Sequence, residues 1–163
     1  MLTLAFETSA KAGSVALMEG RKLLGESYQN TGLTHSQTIM TRAQSLIAAC
    51  GYTPQDVQAV AVAAGPGSFT GIRIGVAAAK GFAWGSQIPC YGVSTLEAMA
   101  LNLGAYEGLV VGVMDARRSQ VYTATFRAEK GILTRLTEDR AISLQQLGEE
   151  LVQSDCPVYL VGD

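Results

Sequence analysis

The chain is poor in charge, in histidine and in cysteine, and each shortage excludes something. Only 16% of its 163 residues are charged, against about 25% in an average soluble domain. The balance is 12 Lys+Arg against 14 Asp+Glu, a net charge of −2, with a pI near 5.4. That excludes unaided, phosphate-driven binding of nucleic acid along a basic stripe. His35 is the one histidine. A Ser-His-Asp triad would have to use it, and no G-x-S-x-G nucleophile turn accompanies it. Three cysteines stand far apart at Cys50, Cys90 and Cys156. Without a CxxC pair or a Cys/His cluster, a structural zinc site is excluded. Scattered thiols suit a reducing compartment. The segment 1–7 lacks a basic start and meets Glu7, so it is not a signal peptide. No apolar run reaches membrane-spanning length. The expectation is a cytoplasmic protein without membrane contact.

What is present is apolar. Residues of the apolar class make up 48% of the chain, and a chain of this length buries roughly 70% of its unfolded surface. Disorder is excluded, and some of the apolar surface is expected to belong to a partner. Residues 2–6, 14–18 and 23–28 are short β-type runs separated by turns, which predicts an antiparallel meander. Residues 34–50 form the clearest helix. Ile39, Met40, Ala43, Leu46, Ile47 and Cys50 share one face, Thr34 or Ser36 can cap its start, and Gly51 ends it. Thr53-Pro54 opens a short helical turn. Strands follow at 57–64, 88–93, 109–114, 120–127 and 158–161. Helices are expected at 70–85, from Ser94 to about 103, and from Ser143 to about 153.

Two units, 4–17 and 111–123, repeat one pattern: an apolar strand ending in an acid (Glu7, Asp115), a turn, then an alternating strand. Duplication and chance likeness of two hairpins both account for it. Under duplication the lobes are 1–105 and 106–163. The second is short and ends on a strand, which leads us to expect an incomplete lobe.

The loop 65–71 is rich in glycine and leads into a helix start, where free N–H groups favour an anion. It lacks the Gly-Lys-Ser/Thr ending of a phosphate-binding P-loop, since Ile72-Arg73 follows Gly71. A tight strand-to-helix connection and an anion contact through Gly67, Ser68 and Thr70 both remain open. The helix that follows carries interior glycines at Gly71 and Gly75, each costing about 1 kcal/mol against alanine. Close backbone approach to its own sheet or to a partner helix would offset that cost. His35 is taken as a helix-start residue, and Glu7 and Asp115 as turn acceptors or catalytic acids. Arg117-Arg118 is taken as a hairpin tip or a phosphate contact.

Residues 65–75, Gly-Pro-Gly-Ser-Phe-Thr-Gly-Ile-Arg-Ile-Gly, with Ala79-Lys80-Gly81 after them, resemble the signature of the bacterial TsaB family, also called YeaZ. Further segments agree in order along the chain: Phe6-Glu7-Thr8-Ser9, His35-Ser36, residues 93–98 and residues 115–122. The resemblance implies an α/β fold of the actin-like, sugar kinase and Hsc70 class, with two duplicated ribonuclease H-like lobes. It implies a non-catalytic scaffold or activating subunit in the making of threonylcarbamoyladenosine on tRNA. Its partners would be the catalytic paralogue TsaD and the ATPase TsaE, and the chain would form a homodimer when isolated. It would reach tRNA only through the complex.

On that resemblance the partner interface comprises Ile39, Met40, Ala43, Leu46, Ile47, Gly71, Arg73 and Gly75. No catalytic residue and no metal ligand is assigned. No cofactor is expected to bind tightly to this chain, and ATP and metal are expected on the partner subunits. Thr95 and Met99 stand where catalytic paralogues carry a metal-binding histidine pair. The family pattern has Asp where Glu7 stands and Glu where Gln120 stands. The second departure removes a charge and with it a candidate carboxylate. A nucleotide-binding enzyme or a metallopeptidase of the same fold is the alternative reading.

Overall fold

The computed structural model describes residues 1–32 and 34–162. The chain forms two compact units, Met1–Val93 and Ser94–Asp163. The sequence places the boundary at 105/106, and packing places it twelve residues earlier. The reason is the helix Thr95–Leu101, whose Leu96 and Ala100 are buried in the core of the second unit.

In the first unit, β1 (Leu2–Glu7), β2 (Gly13–Glu19) and β3 (Lys22–Gln29) form the expected antiparallel meander. Helix α1 (His35–Ala49) leads through a single helical turn at Pro54–Asp56 to β4 (Ala59–Gly65). Helix α2 (Phe69–Ser86) then returns to β5 (Cys90–Ser94). The sheet order is β3-β2-β1-β4-β5, with β4 parallel to β1. Strand alternation sends Leu4, Phe6, Val15, Leu17, Val60 and Val62 to one face. Both helices cover that face. Ile39, Ala43, Leu46 and Ile47 from α1 join Ala79 and Ala83 from α2 in one buried cluster with those strand residues.

The second unit starts with α3 (Thr95–Leu101), then the long hairpin β6 (Gly108–Arg117) and β7 (Gln120–Glu129). Two short strands follow, β8 (Ile132–Arg135) and β9 (Arg140–Ser143), then α4 (Leu144–Val152) and β10 (Val158–Gly162). The order is β10-β6-β7-β8, with β9 also paired to β7. The short strands β8 and β9 were not expected from the sequence. Leu96, Val110, Met114, Ala124 and Phe126 fill one face, and Val111, Val121, Ile142 and Leu147 fill the other. Arg135 ties β8 to α3 through Glu97 at 2.8 Å, and its guanidinium lies 4.8 Å from the Phe126 ring centre. Ser94 and Ser143 cap their helices as the sequence predicts, accepting from the N–H groups of Glu97 and Gln146.

The two sheets share one scheme. An antiparallel run occupies one side (β3-β2-β1, β8-β7-β6), and a later strand joins the first in parallel (β4 on β1, β10 on β6). The duplication that the hairpins suggested is therefore present in the pairing as well. The fold is the α/β arrangement of two similarly paired units that the resemblance implied.

Candidate functional site

The glycine-rich loop and the start of α2 are built around the turn after β1. The Ser68 amide donates to the Ser9 carbonyl at 2.6 Å, and the Ser68 hydroxyl accepts from the Gly71 amide at 3.3 Å. The buried Thr8 hydroxyl donates to the Gly71 carbonyl at 2.7 Å. A Cβ on Gly71 would collide with the Thr8 carbonyl oxygen, and one on Gly75 with Thr8 Oγ1. Gly67 has a φ of +152°, and a Cβ there would stand 2.6 Å from the Ser9 carbonyl oxygen. The glycines thus let α2 lie against the turn 7–9 of its own unit.

This corrects two expectations. Gly71 and Gly75 make their close approach within the unit, not to a partner helix. In the loop offered as an anion contact, Ser68 has both its amide and its hydroxyl engaged inside the unit, Gly67 is packed on Ser9, and Thr70 is exposed. The loop packs against the turn after β1.

The apolar face of α1 is corrected in the same way. Ile39 and Ile47 are each 1% exposed, Ala43 0% and Leu46 8%. Met40 is half-buried against the same cluster. These side chains are covered by the sheet and are not available to a partner. Of the expected interface residues only Arg73 is exposed.

The accessible surface lies on the other side of α2. Phe69 is 75% exposed and Trp84 88%, with Arg73, Ala77 and Lys80 exposed between them. At 3.6 residues per turn these five positions fall within an arc of about 80°. Arg73 lies 5.0 Å from the Phe69 ring centre, a cation–π pair. An exposed phenylalanine and the chain's one tryptophan on a single stripe form a surface suited to another protein. The sequence places Phe69 in the glycine-rich loop and Trp84 in the apolar bulk around the helix, and neither at an interface. Their distance in phase from Gly71 and Gly75 was the available signal.

Glu7 and Asp115 both act as turn acceptors. Glu7 Oε1 accepts from the Ser9 amide, and Asp115 Oδ1 from the Arg117 amide at 2.7 Å. Arg117, Arg118 and Ser119 all have positive φ, and they form the exposed tip of the β6–β7 hairpin. His35 Nε2 lies 3.0 Å from the Ala10 carbonyl oxygen, so the ring pins the first hairpin to the start of α1. Among the described residues no group of three or more His, Cys, Asp or Glu is gathered in a way that could hold a metal. Thr95 is buried, and its hydroxyl has no hydrogen-bond partner among the described residues. No helix among the described residues is long and apolar enough to cross a membrane.

This architecture defines the chain as a two-unit α/β protein of the actin-like, ribonuclease H-like class. Comparison with known proteins then fixes the family. Residues 29–155 match the family model described as TsaD, tRNA N6-adenosine threonylcarbamoyltransferase. The chain is 38% identical over 162 residues to the tRNA threonylcarbamoyladenosine biosynthesis protein TsaB of Bacillus subtilis, covering 99% of this chain and 71% of that protein. It is 33% identical over 155 residues to the TsaB of Escherichia coli, covering 94% and 67%. Among solved structures, YeaZ from Pseudomonas aeruginosa superposes with a TM-score of 0.80 at 27% identity, over 89% of this chain and 68% of that one. The chain belongs to the TsaB (YeaZ) family.

Proposed function

We propose that this chain acts in the biosynthesis of threonylcarbamoyladenosine on tRNA as a non-catalytic subunit. It docks on the catalytic paralogue TsaD through the outer face of α2 and works with the ATPase TsaE. The observation that carries the docking surface is the exposed stripe from Phe69 to Trp84. Family membership supplies the pathway, since the relatives from Bacillus subtilis and Escherichia coli are named for it. A net charge of −2 favours tRNA contact through the assembled complex over contact by this chain alone. The same stripe would pair two copies when the chain is isolated. ATP and metal belong to the partner subunits in this reading.

The test is light scattering on a sizing column, with the chain alone and then mixed with TsaD from the same organism. A 1:1 complex should form at the expense of the homodimer. Trp84→Glu should abolish both, with circular dichroism and melting unchanged, because the side chain touches little of its own unit. If Trp84→Glu pairs as well as the parent chain does, the stripe is not the docking surface. If the parent chain ignores TsaD, the subunit reading fails with it.

A further inference from the structure

We propose that a recess at the start of α1 is a binding site for a tetrahedral oxyanion. Its walls are Lys11 and Gly13 from the first hairpin, Gln29 and Thr31 at the end of β3, and His35, Thr38, Ile39 and Arg42 from α1. Two permanent cations and the chain's one histidine meet there, and no carboxylate lines it. Among the described residues neither Lys11 nor Arg42 takes part in an ion pair; the three pairs present involve Arg135 and Arg140.

The hydrogen bonds run out of acceptors at this recess. Arg42 Nε donates to Gln29 Oε1 and Nη1 to Ser27 Oγ, both at 2.7 Å, and Nη2 also donates to Gln29 Oε1. A guanidinium has five N–H donors, so these neutral partners leave two N–H groups and the whole charge uncompensated. Gln29 Nε2 in turn donates to Thr31 Oγ1 at 2.6 Å, which leaves the Thr31 hydrogen to be passed on. The N-cap residue Thr34 makes no side-chain bond to the helix start, and the first turn of α1 holds no acid. The positive end of the helix therefore adds to the side-chain charge.

The geometry selects the class of ligand. The lining residues come from a hairpin, a strand end and a helix, a surround on several sides that suits a tetrahedral ligand better than a planar carboxylate. A single water could accept from two of them and would neutralise nothing. Arg42 is held in place by Ser27 and Gln29, so little side-chain freedom remains to be lost on binding. The site is local, and it does not conflict with the acidic character of the chain as a whole. It is also separate from the proposed docking stripe on α2.

The experiment is a titration of the isotope-labelled chain with inorganic phosphate, followed by NMR, with sodium chloride at matched ionic strength as control. The expected result is a saturable shift of the Thr31 and Thr38 amides and of the His35 ring, whose signals are unique in this chain. Lys11→Gln, on an exposed hairpin residue, should weaken phosphate binding about tenfold, the loss of one charge-assisted contact. Lys130→Gln, in the second unit, should leave it unchanged. Arg42→Gln should abolish it, but it also removes the bonds to Ser27 and Gln29, so Lys11→Gln is the decisive variant. A parallel titration with adenosine 5′-monophosphate separates sources. Tighter binding than phosphate assigns the site to a phosphorylated nucleoside, and equal binding assigns it to the free ion. Shifts that chloride reproduces, or that Lys11→Gln leaves intact, would overturn the proposal.

Discussion

Replacing Gly75 by alanine separates the two reasons a helix might carry a glycine there. In a helix interior the exchange favours alanine by about 1 kcal/mol. At this position the new Cβ meets Thr8 Oγ1, which is buried and donates to the Gly71 carbonyl at 2.7 Å. Thr8 must rotate away. That costs roughly 0.5–1.5 kcal/mol of side-chain strain and leaves a buried hydroxyl or carbonyl unpaired, at about 1–3 kcal/mol. The unfavourable side wins, and Gly75→Ala should destabilise the first unit by about 1–3 kcal/mol net.

The sign should reverse in a second background. Thr8→Ala removes the obstructing oxygen, and the next atom, Thr8 Cβ, lies 3.4 Å from the new methyl, at ordinary contact distance. In that background Gly75→Ala should stabilise by about 1 kcal/mol. The assay is hydrogen exchange of peptides from β1 and α2 across a urea series. A whole-chain melt is less suitable because two compact units need not unfold together. If Gly75→Ala alone stabilises the chain, or if the two substitutions simply add, Thr8 does not require the glycine. The close approach would then be to a partner.

Three further outcomes follow from the same contacts. Ile47→Ala should cost the first unit about 2–5 kcal/mol in the same exchange assay, because Ile47 is core; a loss of subunit pairing with stability intact would restore the interface reading. Arg135→Ala should loosen α3 from β8 and destabilise the second unit by about 1–2 kcal/mol, from two partly exposed ion pairs and the Phe126 contact. Burial works against charge on Arg135, and its hydrogen bonds with Asp139 and Glu97 more than offset it, so the guanidinium stays charged at any working pH. Asp56 accepts from the Thr53 hydroxyl and amide, both at 2.7 Å, and this holds its carboxyl below the usual value of 3.8. Its contribution to stability is therefore present above that value and lost as pH falls through the lower folded value, and Asp56→Asn should flatten that acid limb in a melt series.

The elements that could be read from the sequence are those whose signals are local. A serine cap three residues before its N–H partner, as at Ser94 and Ser143, needs no knowledge of the rest of the chain. The same holds for the apolar face of α1 and for the turns of the first meander. The strands β8 and β9, at four residues each, escaped because what holds them is pairing with β7, and their own sequences alternate too briefly to be distinctive. Periodicity identified Ile39, Ala43, Leu46 and Ile47 as buried but carried no information on what buries them, so core residues were assigned to an interface. Arg42 and Lys11 drew no notice because they lie 31 residues apart and meet only once β1–β3 fold back on α1.

Helix α2 explains why its composition was hard to read. One side, at Gly71 and Gly75, has to be bare so that Thr8 and the turn 7–9 can reach the backbone. Its flank at Ala79 and Ala83 is small because α1 and the sheet crowd it. Ile74, Val76 and Phe82 pack half-buried against the core around these small residues, and Phe69 and Trp84 lie on the outer side, facing solvent. A large exposed aromatic gains nothing from its own unit, and its removal would cost that unit little. The glycines and alanines set the helix in a fixed position on the first unit, and the aromatics use that fixed position. A rigidly seated helix loses little freedom when a partner covers its outer face, so the packing at Thr8 and the proposed docking at Trp84 support each other through a single element.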